Sequence, residues 1–173
     1  MLNLLLFVSL QAQATIALPN GFQGITWGMS IEELTSQFEV HKATPGSGYS
    51  YADHMETDPD VYVRHTKDNR KIEYYFFDGR LYKIYIVYDR AKSTEGFYKN
   101  LIAKAQKEYG PAQSHYQENI FGILVLHVKW DDGKSTMDLR SGAGYVYEVL
   151  VDKAGEREKA SEIRRKRSLK ESI

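Results

Sequence analysis

The chain has 173 residues, a length that fits one domain, and 42% of them are hydrophobic, which is enough for a buried core. Its 23 basic and 23 acidic side chains balance, so the net charge favours neither a nucleic acid nor a membrane as a partner. The absence of cysteine excludes disulfides, a thiolate zinc site, a cysteine nucleophile and a lipid-anchoring cysteine.

The N-terminal residues, MLNLLLFVSLQAQA, are typical of an export signal. Leu2 to Leu10 forms an apolar run that is too short to span a bilayer, and Ala12 and Ala14 are small residues at the two positions that a signal peptidase reads. We therefore expect cleavage near Ala14 and a periplasmic or secreted protein, although no Lys or Arg precedes the apolar run. The alternative is a buried first strand or helix of a cytosolic protein.

The segment GFQGITWGMSIEEL, residues 21–34, predicts a short edge strand followed by a helix start. Ser30 and Glu33 fit the capping box, in which each side chain accepts a hydrogen bond from the backbone of the other residue. Met29 and Leu34 fit the hydrophobic staple that flanks such a cap. The glycines match neither of the phosphate-binding glycine patterns, so the segment is interpreted as the beginning of the folded domain.

Residues 42–60 are rich in proline, glycine and polar side chains and predict a loop. Its acidic part, 53–60, has carboxylates at alternate positions in Glu56, Asp58 and Asp60, which is an arrangement suited to calcium. The loop lacks the glycine and the distal glutamate of an EF-hand. We therefore interpret it as an acidic surface loop and predict no metal ligands.

The segment KIEYYFFDGRLYKIYIVYD, residues 71–89, predicts a β-hairpin with its turn at Asp78-Gly79. A two-residue turn places Glu73 opposite Ile84, whereas a three-residue turn places Glu73 opposite Lys83. We prefer the three-residue turn because it pairs like side chains across the strands. The core face in this register consists of Ile72, Tyr74, Tyr82, Ile84 and Ile86.

Residues 94–109 predict the main helix, which Ser93 or Thr94 caps and Gly110-Pro111 ends.

A second hairpin is predicted from residues 120–140, with a two-residue turn at Asp132-Gly133. In this register Val128 lies opposite Met137, and apolar side chains alternate with polar ones. The alternation predicts a sheet with one face in water. The apolar face consists of Leu124, Leu126, Val128, Trp130, Met137 and Leu139.

The order of these elements predicts an α+β fold with two layers, in which an antiparallel sheet of hairpins carries helices on one face. The domain is expected over residues 20–151, after a signal peptide at 1–14. A charged helical tail follows over 154–173.

Two groups of residues are candidates for interaction. The tyrosines are predicted on the outward face of the sheet, where aromatic side chains are frequent binding anchors. The alternative is that the loop at 42–60 or the tail covers this face. The basic run lies in residues 156–173, which carry seven basic and four acidic side chains, a net charge of +3. Such a patch suits anionic lipid or an acidic protein surface, and the alternative is a solvated tail without a partner. The residues are Tyr75, Tyr85 and Tyr147 in the sheet, and Arg164, Arg165, Lys166 and Arg167 in the tail.

His127 and Asp138 are predicted to lie opposite each other in the second hairpin. Such a pair can act as a base and its orienting carboxylate, which would be a hydrolase feature. No serine or cysteine in a nucleophile motif accompanies them. We therefore interpret the pair as part of the wet face and predict no catalytic residue and no cofactor.

The pieces GFQGITWGMSIEEL, FFDGRLYKIYIVY and KEYGP resemble a group of small exported bacterial α+β proteins of unassigned activity. The resemblance covers most of residues 20–151. The piece WGMSIEEL is also similar to the helix start of the SmpA/OmlA-type outer-membrane assembly proteins, which carry a lipidated cysteine that this chain lacks. Neither resemblance implies catalytic residues.

We therefore expect a non-catalytic periplasmic or envelope protein with a binding or assembly-accessory role. Its partner would be a protein or another envelope component, contacted through the aromatic sheet face and the basic tail, with nucleic acid the least expected. The alternative is a small-molecule or lipid carrier with a cavity between the sheet and the helices. A hydrolase that uses His127 or the acidic loop is the third hypothesis.

Overall fold

The computed structural model describes residues 17–43, 60–68 and 70–171. Within these ranges it contains three helices and ten strands, which confirms the predicted α+β class. In chain order the elements are β1 Gly21–Phe22, β2 Ile25–Thr26, α1 Ile31–Gln37, β3 His41–Lys42, β4 Asp60–His65, β5 Lys71–Phe77, β6 Arg80–Val87, α2 Glu95–Tyr109, β7 Ser114–Ile120, β8 Ile123–Asp131, β9 Ser135–Gly142, β10 Tyr145–Asp152 and α3 Lys153–Glu171.

Eight of these strands form one sheet in the order β3-β4-β5-β6-β10-β9-β8-β7, and each neighbouring pair is antiparallel. The pairing of β6 with β10 joins the two halves of the sheet. The sequence does not predict the edge strand β7, whose residues SHYQENI are polar and mostly exposed. An exposed edge strand has little apolar alternation and therefore leaves no period-two signal.

The face of the sheet that α2 covers, called the inner face, carries the larger apolar cluster. Thr94 caps α2, as predicted, and Gly110 ends it with a φ angle of 81°. The indole N–H of the fully buried Trp130 donates to the carbonyl of Gly110 at 2.9 Å. The hydroxyl of Tyr98 donates to the carbonyl of Leu139 at 3.1 Å. Hydrogen bonds as well as apolar contacts therefore attach α2 to β8 and β9.

The register of the β5–β6 hairpin differs from the preferred prediction, since Tyr74 lies opposite Ile84 and not Tyr82. Phe77 pairs with Arg80, so the turn has two residues, and a β-bulge shifts the register beyond it. The bulge places Tyr82 in the apolar cluster of the opposite face, because an inserted residue rotates the strand locally. The other four residues of the predicted core face are buried on the inner face.

The β8–β9 hairpin has a longer turn than the two residues predicted, and Val128 lies opposite Leu139 and not Met137. One carboxylate oxygen of Asp132 accepts hydrogen bonds from the backbone N–H groups two and three residues later, at 2.8 and 2.7 Å. Aspartate favours such turns because its side chain replaces a backbone acceptor. The shift in register is two residues, so every side chain keeps its predicted face.

The turn at residues 131–135 also forms hydrogen bonds with the first described segment and with the start of α3. The backbone N–H of Leu18 donates to the second carboxylate oxygen of Asp132 at 3.0 Å. The backbone N–H of Lys153 donates to the carbonyl of Lys134 at 2.9 Å. The first described segment and the last helix therefore begin at the same turn.

The segment at residues 21–34 forms a small separate hairpin, β1–β2, and the start of α1. The capping box is present, since Ser30 Oγ accepts from the N–H of Glu33 at 3.2 Å and Glu33 Oε2 accepts from the N–H of Ser30 at 2.8 Å. The N–H of Gly28 donates to the carbonyl of Leu81 at 2.9 Å, which attaches the segment to β6. The hairpin is therefore fixed beside the inner face.

The opposite face of the sheet is called the outer face. The sequence predicts that this face is exposed to water, but the structure shows that it is largely covered. It carries a second buried apolar cluster, and α3 covers part of it. A Cβ atom at Gly155 of α3 would lie 2.5 Å from the Cβ of Tyr82, so the helix approaches the strand closely. Lys159 Nζ donates to the Tyr82 hydroxyl at 2.9 Å. The buried members of the cluster are Val61, Tyr75, Tyr82, Tyr85, Val149 and Val151.

Candidate functional site

The tyrosines of the outer face do not form the open recognition surface that the sequence predicts. Tyr75 and Tyr85 have exposed fractions of 0% and 7%. The Tyr75 hydroxyl donates to Glu73 Oε2 at 2.6 Å, and the half-buried Tyr147 ring lies 5.5 Å from the Tyr85 ring. Of the two alternatives, a covered face is therefore the correct one for Tyr75 and Tyr85, because this face has its own apolar cluster and α3 packs on it.

The basic residues of the tail lie in α3. Its first turns pack on the outer face, and further along it exposes Arg164, Arg165 and Lys166. Arg165 donates two hydrogen bonds to the carboxylate of Glu162, at 2.8 and 2.7 Å, so part of the basic charge is balanced within the helix. Arg167 belongs to the same helix. The second half of α3 is therefore a basic surface.

His127 and Asp138 are in contact, although not as a directly opposed pair. His127 lies opposite Arg140 in the ladder and reaches Asp138 diagonally, with its Nδ1 3.0 Å from Oδ2. Arg140 Nε donates to the same oxygen at 2.8 Å. Since His127 and Asp138 are only 3% and 5% exposed, the prediction of a pair on a wet face is wrong.

The buried histidine is closed to a substrate. The ring of Tyr116, on β7, stacks on the His127 ring with 4.4 Å between their centroids. Glu118 Oε2 lies 3.6 Å from Nε2, the remaining ring nitrogen of His127. A general base needs its substrate within hydrogen-bond reach, and β7 occupies that side of the ring. We therefore interpret this group as a structural network that ties β7 to β8 and β9.

A cleft of about 510 Å³, called the inner cleft, opens between the inner face, α2 and the β1–β2 hairpin. This volume lies within the range of roughly 300–1,000 Å³ that is usual for small-molecule sites. The backbone of residues 21–24 forms one wall. The apolar side chains that line the cleft include Leu101, Ala105, Met137, Leu139 and Leu150.

Glu148 places a carboxyl group in this apolar setting. It lies on β10 between Val146 and Leu150, which are 0% and 2% exposed. The Tyr88 hydroxyl donates to Glu148 Oε2 at 2.9 Å. Burial raises the pKa of the Glu148 carboxyl, while the Tyr88 hydrogen bond and the charge of Arg70 act against that rise. The inner cleft therefore holds a carboxyl group that accepts a hydrogen bond from a neutral hydroxyl group.

Further charged side chains come from α2 and from the turn before β5. Lys104 and Glu108 lie one turn apart on α2 and both line the inner cleft. The Tyr109 hydroxyl donates to Glu108 Oε1 at 2.7 Å. Arg70 lines the cleft as well and forms an ion pair with Asp68, with 2.8 Å between Nε and Oδ2. The cleft therefore combines an apolar lining with charges of both signs and two tyrosines.

Sequence reasoning misses this site, although one signal for it is present. Val146, Glu148 and Leu150 alternate on the face of β10 that turns towards α2. A glutamate at a position where the alternation calls for an apolar residue is informative, because burial of a carboxyl group is costly unless a partner or a function compensates it. Its companions Arg70 and Tyr88 come from other segments, which the fold brings together.

The predictions on metal and export are not settled by the described residues. Two residues of the acidic loop, Glu56 and Asp58, lie outside the described residues, and so does the predicted signal peptide at 1–14. Asp60 lies in β4 and forms an ion pair with Lys42. In the ranges that the structure covers, no three His, Asp or Glu side chains are grouped to hold a metal ion. The described helices include no apolar stretch of membrane-spanning length.

Comparison with known proteins does not add a relative. No protein-family model, no curated protein and no solved structure matches the chain. The resemblances to small exported bacterial proteins and to the SmpA/OmlA-type proteins therefore stay predictions. The function has to be inferred from the geometry of the fold and of the inner cleft.

Proposed function

We propose that this protein is a non-catalytic binding protein that holds a small amphipathic molecule in the inner cleft. The observation that supports this most is Glu148, a carboxyl group kept on a strand face that is otherwise apolar. Such a residue weakens a core, so its place at the wall of a cleft suits ligand recognition better than folding. This is the carrier hypothesis raised from the sequence, with the cavity between the sheet and α2.

The chemistry of the cleft lining supports binding without reaction. The described lining contains no serine, cysteine or histidine, so it lacks the Ser–His and Cys–His pairs of nucleophile and base. The buried His127 lies on the other face of the sheet, under Tyr116. The carboxyl group of Glu148 instead serves as a fixed hydrogen-bond and charge partner.

Two alanines of α2 give a matched test of this proposal. Ala105 is 6% exposed and lines the inner cleft, whereas Ala103 faces the solvent. A library of small amphipathic molecules would be screened by thermal shift, and each hit measured by isothermal titration calorimetry. Ala105→Leu should fill the cleft and weaken binding at least tenfold, while Ala103→Leu leaves it unchanged. Equal affinities for the two variants would overturn the proposal.

A second candidate function is contact with an anionic surface through the second half of α3, in an exported protein. The exposure of Arg164, Arg165 and Lys166 favours it. Vesicles that contain phosphatidylglycerol, and pull-downs from envelope extracts, would be compared for wild type and for the double variant Arg164→Glu/Lys166→Glu. Loss of both interactions in the variant would support the contact, and full retention of both would exclude it. These substitutions spare Gly155 and Lys159, which pack on the outer face.

A further inference from the structure

Two tyrosine–glutamate pairs line the inner cleft. The Tyr88 hydroxyl donates to Glu148 at 2.9 Å, and the Tyr109 hydroxyl donates to Glu108 at 2.7 Å. Tyr88 follows β6 and Tyr109 ends α2, so the two pairs come from separate elements. Each pair combines an acceptor carboxylate with an electron-rich aromatic ring. Carboxylates and aromatic faces are the two kinds of group that proteins use to bind organic ammonium ions.

We propose that the ligand of the inner cleft is an organic cation, an amine or quaternary ammonium group on an apolar body. Its positive charge would lie against Glu148 and the ring of Tyr88, and its apolar body against Leu101 and Leu150. This inference rests on the proposed function, since it specifies the ligand class of the same cleft.

The charges that act on Glu148 favour a cation. Arg70 and Lys104 stabilise its ionised form, and Glu108 opposes ionisation. Burial outweighs the two basic groups, so the pKa of the carboxyl is raised. Arg70 already has Asp68 at 2.8 Å, while Lys104 and Glu108 both line the cleft from exposed positions and carry opposite charges. A bound cation would supply a charge partner for Glu148, whereas a bound anion would add a negative charge beside it.

The tyrosines are suited to remain donors while a cation is bound. Burial is the main factor that raises the pKa of both the Tyr88 and the Tyr109 hydroxyls, and the neighbouring glutamates add to it. Both hydroxyls therefore stay protonated at neutral pH and keep their hydrogen bonds to the carboxylates. The glutamates are held in place, which lowers the entropy cost of binding.

The test uses three probes of equal chain length, hexyltrimethylammonium, hexyl sulfate and hexanol, titrated into the full chain by isothermal titration calorimetry. The ammonium probe should bind most tightly, and Glu148→Gln should weaken its binding about tenfold or more, since the variant lacks the charge-assisted contact. Glu95→Gln is the matched control, because Glu95 lies at the far end of α2 and its side chain is 79% exposed. Near-UV circular dichroism would verify that both variants keep their packing.

The pH dependence of binding provides a second readout. A cation binds the ionised carboxylate in preference to the protonated one, so the affinity for the ammonium probe should rise as the pH rises through the raised pKa of Glu148. Below that pKa, the affinity should fall about tenfold for each pH unit. Glu148→Gln should remove this dependence. A flat profile in wild type would overturn the assignment of Glu148 as the charge partner.

The remaining outcomes separate the ligand class from the proposed function. If hexyl sulfate or hexanol binds more tightly than the ammonium probe, and Ala105→Leu abolishes that binding, the cation assignment is wrong while the cleft remains a binding site. If none of the three probes binds and the amphipathic library also yields no hit that Ala105→Leu weakens, both the cation assignment and the binding function are wrong.

Discussion

Asp138 and Glu148 carry carboxyl groups on neighbouring strands, the first buried and the second half-buried at the wall of the inner cleft, and they differ in the groups that contact them. Asp138 lies on the outer face of β9, where His127 at 3.0 Å and Arg140 at 2.8 Å both contact its Oδ2 atom. Glu148 lies on the inner face of β10, where the neutral Tyr88 donates to it at 2.9 Å. The comparison teaches that burial alone does not mark a functional carboxyl group. The informative property is whether the chain itself balances the charge.

The largest effect should come from removing the balanced carboxyl group. Asp138→Ala leaves His127 and Arg140 without their common acceptor, and breaking a buried pair in this way costs about 3 kcal/mol. The free energy of unfolding, measured with urea, should fall by about that amount. A loss below about 1 kcal/mol would show that the network contributes little to folding, and the contrast with Glu148 would then disappear.

Loss of the neutral donor should have a smaller effect. Tyr88→Phe removes the hydroxyl that donates to Glu148 and should lower the free energy of unfolding by about 1 kcal/mol at pH 7. The same variant should weaken the binding of the ammonium probe, because the carboxylate is no longer held in place. If Tyr88→Phe is as costly as Asp138→Ala, the two carboxyl groups are equally important to the core.

The pH dependence of stability sharpens the comparison further. Because burial raises the pKa of Glu148 above its value in the unfolded chain, its protonated form favours folding. This contribution is present at acid pH and is lost as the pH rises through the raised pKa. Relative to wild type, Glu148→Gln should therefore gain stability as the pH rises above 4.5, the ordinary pKa of a glutamate. Urea unfolding at several pH values would measure it, and parallel curves would contradict it.

The smallest effect is expected at the exposed pair of α3. Arg165 donates two hydrogen bonds to Glu162 on the exposed surface of the helix. Exposed ion pairs contribute little to stability. Arg165→Gln should leave the melting temperature unchanged within the error of differential scanning calorimetry. A clear drop would mean that the second half of α3 is held by more than its own helix contacts.

The sequence predicts those parts of the fold that local chemistry decides. The capping box of Ser30 and Glu33, the cap at Thr94 and the turn at Asp78-Gly79 are all read from a few adjacent residues, and the structure contains each of them. The predicted apolar face of the β8–β9 hairpin is buried at Val128, Trp130, Met137 and Leu139, whereas Leu124 is 55% exposed. A two-residue error in register does not move a side chain to the other face.

The remaining features depend on contacts between distant segments and therefore leave weak local signals. The bulge that displaces Tyr82 and the burial of Tyr75 follow from packing on the outer face, which includes α3. Glu148 can be recognised as a polar residue on an apolar strand face. Its pairing with Tyr88, and the cleft around them, require the antiparallel joining of β6 and β10, which no short segment encodes.

The shared turn at residues 131–135 has a consequence for the connectivity of the domain. Leu18 and Lys153 are 135 positions apart in the chain, yet both hydrogen-bond to this turn. The ten strands therefore begin and end beside one turn, and α3 starts from the same point to pack on the outer face.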